Sequence, residues 1–164
     1  MTIFVKNKHT LQIDEFKFKC CVGKKGLTWN KKDGDKKTPK GIFKIENLYF
    51  RKDRIKEPLT SLKCVEIKKD MGWCHDNNYP KKYNKLLKIE KKIKHEKLKR
   101  KDYKYDLLIP IKYNFKKPTI GLGSCIFIHL TKNYNPTAGC IALMKKDFLI
   151  MLKLIKKNSK IKIL

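Results

Sequence analysis

Two side chains able to do acyl-transfer chemistry, His129 and Cys140, stand eleven positions apart in this chain. A cysteine thiolate is a strong nucleophile, and a nearby imidazole both depresses the thiol pKa and carries protons to a leaving group. Cys140 ends the turn Thr137-Ala138-Gly139-Cys140. Gly139 has no side chain, so a substrate carbonyl can come close, and backbone N–H groups at such a turn can serve as oxyanion donors. Of the six cysteines (20, 21, 64, 74, 125 and 140), Cys140 alone follows a Thr-x-Gly turn with a strand-end histidine a short loop away. The others read as packing, because adjacent Cys20 and Cys21 do not bridge readily and no CxxC pair or zinc-ligand spacing occurs.

The elements that must position this pair follow from apolar period. Cys125 to Leu130 has strand length and β-branched content, and it carries His129 near its end on the same face as Cys125 and Phe127. A polar, turn-prone segment, Thr131 to Pro136, separates it from the apolar run after Cys140. Residues 2–5 and 10–22 read as strands, with a bulge or turn near Asp14-Glu15. Further strands are expected over 41–48, 62–67, 106–113 and 160–164. Residues 145–157 place Phe148, Leu149, Leu152 and Ile155 on one face of an amphipathic helix. The lysine-dense stretch 81–104 spaces Leu86, Ile89, Ile93 and Leu98 roughly as a second helix would, or is partly loop. Trp73 and Tyr83 are flat surfaces able to line a polymer groove or to anchor a core; Tyr83 is assigned to the core and Trp73 to either. Cys74 and His75 are adjacent, so in extended chain they face opposite ways. These elements make a mainly β, single domain over residues 1–164 with one or two short helices.

The run Ile128-His129, a spacer, then Pro136-Thr137-Ala138-Gly139-Cys140-Ile141-Ala142-Leu143 resembles the active-site signature of the YkuD-type L,D-transpeptidases, in the branch with Thr-Ala-Gly-Cys. Asp33-Gly34-Asp35 with Thr38-Pro39-x-Gly41-x-Phe43, the Gly72-Trp73-Cys74 segment with Tyr83-Asn84, and His95-Glu96 are similar to weaker motifs of that branch. By their residues alone, Asp33 and Asp35 read as a tight turn, and His95-Glu96 as a polar surface pair. Ala138 stands where many members carry a second histidine, and Ala142 where many carry an arginine, so anchoring by that arginine does not transfer. The resemblance implies an L,D-transpeptidase β-sandwich. It also implies Cys140 as acyl-accepting nucleophile, His129 as proton acceptor and donor, and N–H groups around Gly139 and Cys140 as the oxyanion site. Thr137 is expected to orient the turn or the substrate, and Tyr134 to line the donor channel, with Trp73 as a further substrate surface. The implied partner is a peptidoglycan stem peptide, and the implied location is the cell envelope or periplasm.

Composition adds a second theme. The 164 residues carry 42 Lys+Arg against 15 Asp+Glu, a net charge of +27. Such a charge predicts nonspecific attraction to polyanions. The lysines are spread along the chain rather than gathered in one tail, which favours solvated faces. A basic polyanion-binding protein with an inactive site and a cytosolic cysteine amidase or peptidase are the alternative functions. The second follows from Met1 to Thr10, which reads as no secretory leader. No stretch approaches transmembrane length, and no metal site, nucleotide loop or cofactor motif is present in the sequence.

Overall fold

Alternating burial along short strands organises the chain. The computed structural model describes all of residues 1–164. The chain opens with β1 (Thr2–Val5), β2 (Thr10–Ile13), β3 (Phe16–Lys19), β4 (Leu27–Thr28), β5 (Thr38–Pro39) and β6 (Gly41–Lys44). It continues through β7 (Leu48–Phe50), β8 (Cys64–Glu66), β9 (Met71–Cys74), β10 (Leu86–Lys88) and β11 (His95–Lys97). It closes with β12 (Leu107–Pro110), β13 (Phe127–Leu130), β14 (Ile141–Leu143), α1 (Lys145–Leu154) and β15 (Lys160–Ile163).

Two five-stranded sheets form the body. One has the order β3-β2-β1-β15-β6, and its centre is the parallel pairing of the first strand with the last, Ile3 opposite Ile161 and Val5 opposite Ile163. The other has the order β14-β13-β12-β7-β8. A core of 26 buried residues joins them: Ile3, Val5, Leu11 and Ile163 come from the first sheet, and Leu48, Ile109, Ile128 and Leu130 from the second. Phe148, Met151 and Leu152 of α1 enter the same core. Asp147 in its first turn and Lys153 in its last match the helix dipole.

Because strand side chains alternate, the second sheet has a second face. Tyr49, Leu108 and Phe127 point away from the main core and pack with Trp73 and Leu98 of the β10-β9-β11 segment in a cluster that includes Cys140. The site therefore sits on the back of the sheet whose front makes the core. This is the mainly β architecture expected of the sequence.

Two local expectations change, over 81–104 and over 41–48, and a third, near Asp14-Glu15, is decided in favour of a turn. No helix forms over 81–104. Leu86–Lys88 and His95–Lys97 instead flank Met71–Cys74 as antiparallel strands. Lysines four apart, such as Lys81 and Lys85 or Lys88 and Lys92, repel one another along a helix. The apolar residues also share no face, since Leu86 is exposed while Ile93 and Leu98 are buried. His95-Glu96 consequently lies on a strand. The run 41–48 divides between the two sheets, with Ile45 bridging to Ile111 at the crossing. Near Asp14-Glu15 the chain makes a hairpin turn, in which Asp14 adopts φ 49°, a conformation that aspartate tolerates better than most residues.

Candidate active site

β13 and β14 run parallel with His129 opposite Ala142, so Cys140, two residues before Ala142, lies beside Phe127. Two residue steps, about 6–7 Å of strand, separate His129 from the Cys140 position along the sheet. Both side chains open on one cleft of about 780 Å³, which Lys31, Glu96, Arg100 and Tyr105 also line.

The Thr137–Cys140 turn is braced from three directions. The Thr137 hydroxyl donates to Cys140 O at 2.6 Å and accepts from the Gly139 N–H at 3.1 Å. Segment 21–24 runs alongside, with Cys21 and Ala142 exchanging backbone bonds of 3.0 and 2.9 Å and Lys24 N–H donating to Thr137 O at 2.8 Å. From below, the buried Thr38 hydroxyl donates to Gly139 O at 2.8 Å while accepting from Gly23 N–H at 2.9 Å. Gly139 has φ +146°, and a Cβ there would stand 2.9 Å from Lys37 O. Only glycine fits. Its N–H is already engaged by Thr137, whereas the N–H groups of Ala138 and Cys140 donate to no acceptor in the protein.

The thiol is buried, only 9% exposed, and burial pushes it up to about 12. Phe127 N–H donates to Sγ at 3.4 Å, and the thiol donates to Cys125 O at 3.2 Å. Cys125 turns that carbonyl toward the sulfur from φ 55°. Asn84 holds it there: its Oδ1 accepts from Cys125 N–H at 3.1 Å and from Trp73 Nε1–H at 3.0 Å. Its Nδ2 donates to the carbonyls of Tyr113 and Asn114 at 3.0 and 2.8 Å.

His129 is 7% exposed, and burial pushes it down to about 4. Its Nδ1 lies 2.9 Å from Leu130 O. A carbonyl only accepts, so Nδ1 carries the hydrogen and Nε2 keeps the lone pair. Tyr105 meets the imidazole edge-on at 5.5 Å between ring centroids and Phe127 likewise at 5.8 Å. A nearby imidazole is expected to depress the thiol pKa. In this buried site the resting pair is instead a neutral thiol beside a neutral imidazole.

Of the residues expected to meet substrate, Thr137 lines the cleft, but Trp73 and Tyr134 do not. Trp73 is 2% exposed and stacks edge-to-face on Phe127 at 5.3 Å, so it is the floor of the site rather than a groove wall. Tyr134 turns away under the Lys19 ammonium, 4.6 Å from the ring centroid. Tyr83 is fully buried, its hydroxyl 3.2 Å from both Asp33 carboxylate oxygens. Asp35 accepts from Lys31 Nζ at 2.6 Å and from Lys32 and Lys37 N–H at 2.9 Å, and so closes its loop. All six cysteines are free thiols. No three His, Cys, Asp or Glu side chains gather as metal ligands would, and no helix is long and apolar enough to cross a membrane.

Sequence reasoning missed Lys31, Asn84, Glu96, Arg100 and Tyr105. Glu96, expected as half of a polar surface pair, faces the cleft and accepts from Tyr105 OH at 2.9 Å and Arg100 Nη1–H at 3.1 Å. Arg100 also grips Asp102 through two bonds, 2.9 and 2.6 Å, and lies 4.8 Å over the Tyr105 ring. The Arg100-x-Asp102 and Glu96-x-x-x-Arg100 spacings were the available signal.

Compared with known proteins, residues 1–163 match the family model described as YkuD, the L,D-transpeptidase catalytic domain. No curated protein and no solved structure matches.

Proposed function

This chain belongs to the YkuD family of L,D-transpeptidase catalytic domains, and from that premise we propose that it transfers peptidoglycan stem peptides through a thioester on Cys140. At the level of the family, the activity is L,D-transpeptidase-type chemistry on peptidoglycan, carried out in the cell envelope. In this reading residues 1–164 act as one catalytic unit.

One observation carries the assignment. Cys140 and His129 open on the same cleft from adjacent strands, and the Nδ1 bond to Leu130 O leaves Nε2 as a base. The thiol starts neutral, so attack and proton transfer are coupled. As Sγ bonds to the carbonyl carbon of an L-to-D peptide bond, its proton passes to His129 Nε2. The unengaged Cys140 N–H receives the oxyanion. On collapse the carbon–nitrogen bond breaks, the imidazolium returns its proton to the departing D-amino acid nitrogen, and a thioester remains. An amine or a water then attacks that thioester, with the same imidazole taking a proton and delivering it to sulfur. Gly139 keeps the approach open, and Thr137 fixes the turn.

The test is incubation of the purified chain with stem tetrapeptides ending in a D-residue. The reading expects release of that residue, with a cross-linked or trimmed stem as product, and none with Cys140→Ala. Equal turnover by both proteins would overturn it.

A further inference from the structure

Acids are scarce in this chain, 15 against 42 Lys+Arg, yet three of them, Asp33, Asp76 and Glu96, line the cleft that holds Cys140. In two of them both oxygens are engaged: Asp33 shares the single Tyr83 hydroxyl hydrogen between its oxygens at 3.2 Å each, and Asp76 receives the N–H groups of Asn78 on Oδ1 and Lys94 on Oδ2 at 3.0 and 2.9 Å. Glu96 differs. Its Oε1 accepts both Tyr105 OH and Arg100 Nη1–H, while Oε2 accepts no hydrogen bond from the protein. Its one cationic neighbour is shared, because Arg100 is bound through two bonds to Asp102. One guanidinium between two carboxylates leaves a net negative charge. A third of the Glu96 side chain, 31%, remains open to the cleft.

A carboxylate here works against the nucleophile. Of the charges that act on the Cys140 thiol, Glu96 acts most strongly, and it raises the thiol pKa, which hinders ionisation. Water as acyl acceptor needs no anion. A cationic amine does: it approaches a protein of net charge +27, past Lys94 and Lys104 exposed on the same cleft, and requires a local site of opposite sign.

We infer that Glu96 is the docking point for the ammonium group of a primary-amine acyl acceptor, held through Oε2 with Tyr105 and Arg100 fixing the carboxylate from the other side. The assignment rests on the Cys140 thioester proposed above. In the step it serves, the docked ammonium releases one proton to solvent, and the amine lone pair attacks the thioester carbonyl. The carbon–nitrogen bond forms and the carbon–sulfur bond breaks. The second amine proton passes to His129 Nε2 and from there to the Cys140 sulfur, which restores the thiol.

The experiment loads wild type, Glu96→Gln and Glu96→Asp with the tetrapeptide donor and offers two nucleophiles together. One is Nα-acetyl-lysine amide, cationic at neutral pH, and the other is hydroxylamine, uncharged there. Mass spectrometry reads the ratio of amine product to hydroxamate. Glu96→Gln should lower that ratio about tenfold, as the loss of a charge-assisted hydrogen bond predicts. Glu96→Asp, which keeps the charge, should recover most of it. An unchanged ratio in Glu96→Gln, with thioester on Cys140 detected, overturns the Glu96 assignment and leaves the nucleophile standing. Wild type that forms no thioester overturns both.

Discussion

The Thr38 hydroxyl donates a 2.8 Å hydrogen bond to Gly139 O, joining residues 101 positions apart in the sequence and tying the segment after the Asp-Gly-Asp loop to the Thr137–Cys140 turn. Thr38 Oγ1 also accepts the Gly23 N–H, so one fully buried side chain locks three segments. Replacing Thr38 by Val keeps the shape and strands two buried polar groups. Thermal or urea unfolding should show a loss of about 2 kcal/mol, with Thr38→Ser near wild type. Thr38→Val as stable as the parent would mean that the turn does not depend on this tether.

His129 makes the fold sensitive to acid. Its folded pKa, about 4, lies below the ordinary histidine value, so the unfolded chain takes up the proton first as pH falls. Stability from this group is therefore whole above about pH 6.5, declines as pH drops toward 4, and ends lower by about 3 kcal/mol. Urea titrations across that window should show the decline in wild type, and His129→Phe should remove this part of it. A decline of equal size in the variant would place the acid sensitivity elsewhere.

The same pair sets the pH profile of acylation. With the thiol pushed up to about 12 and the imidazole down to about 4, both reactants are neutral between. The acylation rate should be flat through neutrality and fall only as His129 protonates in acid. A rate rising tenfold per pH unit between 6 and 8 would reveal a free thiolate nucleophile and contradict the coupled transfer.

Lys31 supplies buried positive charge behind the turn. Its side chain is 5% exposed, its ammonium is 2.6 Å from the Asp35 carboxylate, and its charge favours the Cys140 thiolate. Lys31→Met should destabilise the fold by about 1 kcal/mol, because the part-buried Asp35 carboxylate loses its ammonium partner but keeps the Lys32 and Lys37 N–H bonds. It should also slow alkylation of Cys140 in folded protein, read by intact mass. Alkylation at the parent rate would limit Lys31 to a packing role.

How far the sequence reveals this site depends on how local the signal is. The strand before the cleft, the Gly139 turn and the helix after it rest on neighbouring residues, and all form. The strand is shortened to Phe127–Leu130, because Cys125 turns at φ 55°, and the helix to Lys145–Leu154, with Ile155 extended at its C-cap. Trp73 was ambiguous because a flat aromatic looks the same in a groove and a core; only its partners, Phe127 and Asn84, decide for burial. The convergence of Glu96, Arg100 and Tyr105 on the cleft was hidden for a related reason. Local spacing in a lysine-rich stretch suggested a helix, while Glu96 is placed by β11 pairing with β9, Arg100 by its bonds to Glu96 and Asp102, and Tyr105 by its contact with His129, more than twenty residues away. The pKa values of Cys140 and His129 were also out of reach, since residue type shows the groups and burial sets their charge.

The most direct test of the central claim is the intact mass of the protein after exposure to a carbapenem, a strained acyl donor, with wild type beside Cys140→Ala. A covalent adduct of one carbapenem on wild type and none on Cys140→Ala is the predicted result. No adduct on folded wild type, or equal labelling of both proteins, would contradict Cys140 as the acyl-accepting nucleophile.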